Sequence, residues 1–179
     1  MLRIRLAMAA DRPRLNALIA ASARALSRGY YSPEQTEAAI RQVFGADSRL
    51  IDDGTYYLAE EEGSLAGCGG WSRRRTLYGG DQMKSGEDSL LDPASEPARI
   101  RAFFVHPGHA RRGVGSRILD ACVAAAKGAG FSRLELAATL PGVPFYEAFG
   151  FREIERIDVP LEGGLVLPVV RMERAVEGP

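Results

Sequence analysis

The sequence is poor in the residues that build metal centres and disulfide frameworks. It holds two cysteines, Cys68 and Cys122, and two histidines, His106 and His109. The cysteines lie far apart in settings that read as buried, so reduced thiols are expected and a stapled secreted scaffold is excluded. The histidines have no further His or Cys at ligand spacing, so no metal is expected. Charge of one sign is also missing: Lys+Arg and Asp+Glu are both 23. Nucleic-acid binding would ask for a basic excess. No apolar run approaches the roughly 20 residues that cross a bilayer. The opening "MLRIRLAMAADRPRL" meets charge too early for a signal peptide. A cytoplasmic protein without nucleic-acid or membrane partners is the expectation.

What remains is an ordinary globular composition, 46% hydrophobic and 26% charged over 179 residues. One domain, 1–179, with a full core fits that length. Leu2 to Leu6 alternates apolar and basic, the period of a half-buried strand. Asp11 is read as the cap of a helix that has Pro13 in its first turn. Leu15, Leu18, Ile19, Ser22 and Leu26 form its stripe before Gly29. Ser32, Pro33 and Gln35 form a capping box for a second helix, whose stripe is Ile40, Val43 and Phe44. A hairpin follows, Thr55–Glu60 and Leu65–Arg73 around Glu62, Gly63 and Ser64. Residues 76–98 make a long polar connection, a length typical of lids, binding loops or disorder.

Beyond it comes a strand, Ala98–Val105, and then the stretch "HPGHARRGVGSRIL". Its glycines open a helix expected to bury Val114, Ile118, Leu119, Cys122 and Ala125 or Ala126. "FSRLELAAT" reads as a strand, Val143–Phe149 as a short helix, and Phe151–Val159 and Leu165–Glu173 as strands around Glu162, Gly163 and Gly164. The order predicts an α/β single-domain fold, a mixed sheet with helices on both faces. A helix joining two neighbouring strands implies a locally parallel pair.

The glycines then stand at the carboxyl end of the strand that enters this crossover, where ligands of open sheets bind. A helix start leaves backbone N–H groups unpaired, glycines open them to close approach, and the dipole with Arg111 and Arg112 favours an anion such as phosphate. A Walker loop is excluded, because no lysine follows Gly115. A Rossmann fingerprint would need glycine where Ile118 stands, and would come near the first strand.

"ARRGVGSRILDACVAAAKGAGFSRLEL" followed by "PFYEAFGF" resembles the GNAT superfamily of N-acetyltransferases, which bind acetyl-CoA. The first block is similar to that family's Gln/Arg-x-x-Gly-x-Gly/Ala pyrophosphate motif. Phe145, Tyr146, Gly150 and Phe151 match its second block. The order of elements matches across nearly the whole chain. The resemblance implies a mostly antiparallel sheet with a central splayed parallel strand pair. It also implies a pyrophosphate cradle at Arg111, Arg112, Gly113, Val114, Gly115 and Ser116. Backbone groups of Phe103, Phe104 and Val105, with Thr139, would hold the pantetheine arm, and Tyr146 would be the general acid. Three departures stand out. Ala110 occupies the Gln/Arg position, Thr139 stands where many members carry Asn, and "RIRAFF" has no carboxylate where some carry a base.

On the acceptor side, Trp71, Arg73 and Arg101 are candidate contacts. With Arg74, Arg75 and Arg99 they suggest an amine that also bears a carboxylate or phosphate. Glu135 is open between a surface acid and a cleft residue. The resulting expectation is transfer of an acetyl group from acetyl-CoA to a primary amine of a small molecule by direct attack. No base is assigned, and a homodimer is left open. The competing reading is an acyl-CoA-binding sensor or interaction module without turnover.

Overall fold

The structure, a computed structural model, describes residues 1–176. Its strands are β1 (Leu2–Leu6), β2 (Tyr56–Glu61), β3 (Ser64–Ser72), β4 (Ala98–Val105), β5 (Arg133–Thr139), β6 (Arg152–Pro160) and β7 (Val166–Ala175). They form one seven-stranded sheet in the order β1-β2-β3-β4-β5-β7-β6. β4 and β5 are parallel, and the other neighbours are antiparallel.

The helices are α1 (Arg12–Leu26), α2 (Pro33–Gln42), α3 (Ser48–Asp52), α4 (Val114–Gly128) and α5 (Val143–Ala148). Strand alternation, reset in β3 by the irregularity that skips Ala66 between the Ala59↔Gly67 and Glu60↔Leu65 pairs, sends Tyr56, Leu58 and Cys68 to one face, where they meet Leu15 and Ile19 of α1 and Ala38 of α2. Ala59, Ala66 and Ile100 go to the other face, against Ile118 and Leu119 of α4 and Tyr146 of α5. The helical stripe read for α4 is the buried one, with Ala126 rather than Ala125 at its end. The Ser32–Gln35 capping box forms, each side chain accepting the other residue's N–H at 3.1 and 2.8 Å.

Three local expectations are corrected. Asp11 does not cap α1: its carboxylate accepts from Arg5 at 2.8 and 2.9 Å and from the Met8 N–H at 2.8 Å. A bidentate guanidinium partner outcompetes a helix N–H for that carboxylate. A five-residue helix, α3, stands between the second helix and the hairpin, where no element was expected; Asp47 caps it by accepting the Arg49 N–H at 2.9 Å. Leu26, assigned to the α1 core stripe, is 38% exposed, and Ala23 takes its place in the core.

The 76–98 connection is tied down rather than loose. Its first part lies against α2 and α3. Ser48 donates to the Asp81 carboxylate through N and Oγ at 2.8 and 2.6 Å, and Gln82 Nε2 donates to the Phe44 carbonyl at 3.0 Å.

Candidate active site

β4 and β5 pair only where they begin, Ala98 with Leu134 and Arg99 with Glu135. Past those two rungs they diverge, and their facing edges open a wedge through the sheet. β4 is also bulged against β3. Its register passes from Phe104↔Cys68 to Arg101↔Gly70, so Ala102 and Phe103 together face Gly69. Ala102 holds a φ of 55° there, and its carbonyl accepts from the Tyr56 hydroxyl at 3.3 Å and the Cys68 thiol at 3.6 Å. In a trans peptide the following N–H, that of Phe103, points the opposite way. Both cysteines are buried free thiols. Desolvation raises Cys68 to about 12 and pushes Cys122 up as well, so neither is a nucleophile at neutral pH.

At the wide end of the wedge the chain turns through His106–Gly113 into α4. Arg111 and Gly113 have φ of 61° and 80°. Among the described residues, the N–H groups of Arg111, Arg112, Gly113, Val114, Gly115 and Ser116 have no hydrogen-bond partner; the first bond of the new helix is Arg117 N–H to the Gly113 carbonyl at 3.2 Å. No atom lies within 4 Å of where a Gly113 Cβ would stand. At Gly115 a Cβ would sit 3.2 Å from the Phe145 ring, so this glycine lets α5 close on the first turn of α4. Open donors, a helix N-terminus and missing side chains fit a pyrophosphate.

Arg111 lines the cleft, as does Ala110. Arg112 is corrected: it turns to the β2–β3 hairpin, 3.4 Å from the Glu61 carboxylate, which His109 Nε2 also approaches at 3.3 Å. That carboxylate draws it out of the cradle, leaving its backbone N–H as its contribution. No group of three or more His, Cys, Asp or Glu gathers at metal-binding distance among the described residues.

Tyr146 reaches the same wedge from α5. It is 8% exposed, with its ring edge-on to Phe103, Phe145 and Phe151 at 6.3, 5.0 and 5.6 Å. Its hydroxyl bonds to no described residue, and burial pushes its pKa above the ordinary phenol value. A proton is therefore held on that oxygen at neutral pH. Thr139, at the end of β5, lines the cleft beside it.

The end of β5 is fixed by a residue that the sequence reading missed. Tyr31, 6% exposed, donates its hydroxyl to the Pro168 carbonyl at 2.6 Å and accepts the Leu140 N–H at 2.9 Å. This staple ties the α1–α2 junction to β7 and to the diverging end of β5.

The acceptor-side expectations fare differently. Trp71 is 3% exposed and packs in the α4-side core against Phe131 at 6.1 Å, away from the cleft. Arg73 lies outside with its guanidinium 5.2 Å from the Trp71 ring. Alternation along β3 puts the indole on the face opposite the acceptor side, so neither residue lines the cavity.

Arg101 does line it, but three of its five donors and its charge are engaged. These donors go to Asp47 at 2.9 Å, the Gly79 carbonyl at 2.6 Å and the Thr76 carbonyl at 3.1 Å. It clamps the 76–80 segment as a wall rather than offering a free cation. Arg74 pairs with Asp53 at 2.7 Å, Arg75 with Glu96, and Arg99 with Glu135 at 3.1 Å. Glu135 is neither a surface acid nor a cleft residue: it is buried between Arg99 and Arg171. The cationic cluster that suggested an anionic acceptor is thus neutralised, and that expectation is withdrawn.

The cleft so formed has a volume of about 830 Å³. One half is built by the glycine turn, the β4 and β5 edges and α5. The other is built by α1, the end of α2, residues 77–80 and β6–β7. Arg101 and Arg111 are the charged residues of its lining, which holds no Asp, Glu, Lys or His among the described residues.

A family model described as the acetyltransferase (GNAT) family matches residues 20–151. No curated protein matches the chain. Among solved structures the chain is similar to a GCN5-related N-acetyltransferase from Rhodopseudomonas palustris. That match has 21% identity and a TM-score of 0.69, covering 97% of this chain and 94% of that one. It is also similar to the PaiA N-acetyltransferase of Thermoplasma acidophilum in complex with coenzyme A, at 16% identity, TM-score 0.68 and coverage of 98% and 99%. A third is yncA, a putative acetyltransferase from Salmonella typhimurium with its cofactor acetyl-CoA, at 15% identity, TM-score 0.64 and coverage of 100% and 96%. At such identities the likeness is one of fold.

Proposed function

The chain belongs to the GNAT acetyltransferase family, and we propose that it moves the acetyl group of acetyl-CoA onto the primary amine of a small molecule by direct attack. Solved structures that share its fold hold coenzyme A or acetyl-CoA. The observation that carries the reading is a coincidence at one wedge. The unpartnered N–H groups of Arg111 through Ser116 stand at its mouth, two unpaired strand edges run along it, and the unpartnered Tyr146 hydroxyl sits within the cleft.

When bound, acetyl-CoA supplies an activated acyl carbon and a thiolate leaving group. Each residue then has a separate task. The turn before α4 binds the pyrophosphate through main-chain donors, with Arg111 adding charge in place of the side chain that Ala110 lacks. The exposed edge groups of Phe103, Phe104 and Val105 hold the pantetheine amides as a further strand would, and Thr139 closes the far side. A backbone N–H of the bulged strand meets the carbonyl oxygen, where negative charge develops. Tyr146 would keep its proton until the sulfur departs, donate it there, and take one back from water to regain its hydroxyl. The amine would lose its proton to water, since the cleft lining contains no carboxylate or imidazole among the described residues to take it.

The test is release of free thiol from acetyl-CoA with a panel of amines, read beside amide formation. Thiol release that depends on the amine and matches the amide one for one is the expected result. Tight binding of CoA by calorimetry with no thiol released for any amine would return the protein to the sensor reading.

A further inference from the structure

We infer that the acceptor is an amine carried on an uncharged apolar body, aliphatic or aromatic, with no second charge. This deepens the acetyl-transfer reading and rests on it. The half of the cleft away from the glycine turn is walled by Ala23 and Leu26 of α1, Phe44 beyond α2, Leu77, and Leu167 and Val169 of β7. Phe44 meets Phe104 of the bulged strand edge-on at 5.5 Å, which joins this wall to the wedge. Apart from Arg101, its polar side chains are the hydroxyls of Ser22, Ser27, Tyr30 and Tyr78. Leu26 and Tyr30 stay 38% and 51% exposed, an apolar rim that solvent reaches past the described residues.

Charges nearby are spent. Arg101 is ion-paired with Asp47 and donates to two carbonyls, and Asp47 also takes Lys84. A substrate carboxylate would enter without a free cation, and a second ammonium without an acid. Moving an unpaired charge into such surroundings is costly, whereas each buried methylene is favourable.

The test compares phenethylamine with phenylalanine, the same ring and amine with and without a carboxylate, and hexylamine with spermidine. The expected kcat/KM for phenethylamine exceeds that for phenylalanine by at least about tenfold, and hexylamine exceeds spermidine likewise. Leu26→Arg, at an exposed position where folding is unaffected, should narrow the phenethylamine-to-phenylalanine ratio by placing a cation at the rim. Equal or better turnover of phenylalanine or spermidine overturns the inference, as does a ratio that Leu26→Arg leaves unchanged. Calorimetric titration of the CoA complex with the same amines separates this from the transfer reading. Phenethylamine that binds but is never acetylated upholds the chamber and sinks the chemistry. Phenethylamine that does not bind while another amine is acetylated does the reverse.

Discussion

Two tyrosines in and beside the wedge have opposite jobs, and substitution separates them. The Tyr146 ring is held by three aromatic neighbours, while its hydroxyl bonds to no described residue. Tyr146→Phe therefore keeps the packing and removes the proton donor. Its kcat should fall about a hundredfold, the lower end for a positioned acid because a thiolate leaves readily, with CoA affinity and Tm unchanged. Full turnover in a stable variant would take Tyr146 out of the mechanism. Tyr31 is the converse. Its hydroxyl satisfies the Pro168 carbonyl and the Leu140 N–H. Tyr31→Phe leaves both without that partner and should cost about 1–3 kcal/mol of stability, seen as a lower midpoint in urea. An unchanged midpoint would mean that the β5 end is held by other contacts.

The elements show which physics a sequence displays. α4 was legible because its stripe is local: Val114, Ile118, Leu119 and Cys122 recur at helical spacing and face one core. The glycine turn and the Phe145–Tyr146 block are equally local, and both line the cleft. α3 is too short to show a period, although Asp47 before Ser48 carried the cap signal. The bulge at Ala102 is set by Tyr56 and Cys68 on other strands, and no pattern within "RIRAFF" announces it. The arginines misled for the same reason. A guanidinium in sequence looks free, and Asp47 and Asp53, which occupy Arg101 and Arg74, flank α3, an element too short to show a period. One element also concentrates a test. Gly113 sits at φ 80° in open space at the start of α4. Gly113→Ala adds a side chain in the left-handed region, at about 1–2 kcal/mol, and the turn should relax away from that conformation. CoA affinity should weaken by roughly tenfold, about 1.4 kcal/mol, in a protein whose Tm stays near that of the parent. Unchanged calorimetric binding would move the pyrophosphate off this turn.

Across the molecule, the wedge runs between two cores, one under α1–α2 and one under α4–α5, and its lining holds no acid or imidazole among the described residues. The described residues thus offer no carboxylate or imidazole in the cleft to deprotonate the acceptor, and the pH dependence should belong to the amine. A primary alkylamine ionises near the lysine value of about 10.4, so only a small neutral fraction exists at pH 7. That fraction grows about tenfold per pH unit, and kcat/KM should rise with the same slope from about pH 7 to 9. Tyr146 does not oppose the rise. Its folded pKa is raised above the free phenol's 10, so its hydroxyl stays protonated throughout that window and is lost only at higher pH. Measuring kcat/KM from about pH 6 to 9.5 for two amines of different basicity, both chosen to ionise inside that window, distinguishes the sources. If the break in each profile follows that amine's own pKa, water receives the proton. A shared break near 6.5 in both profiles would instead reveal an enzyme base that reaches the cleft from outside its lining.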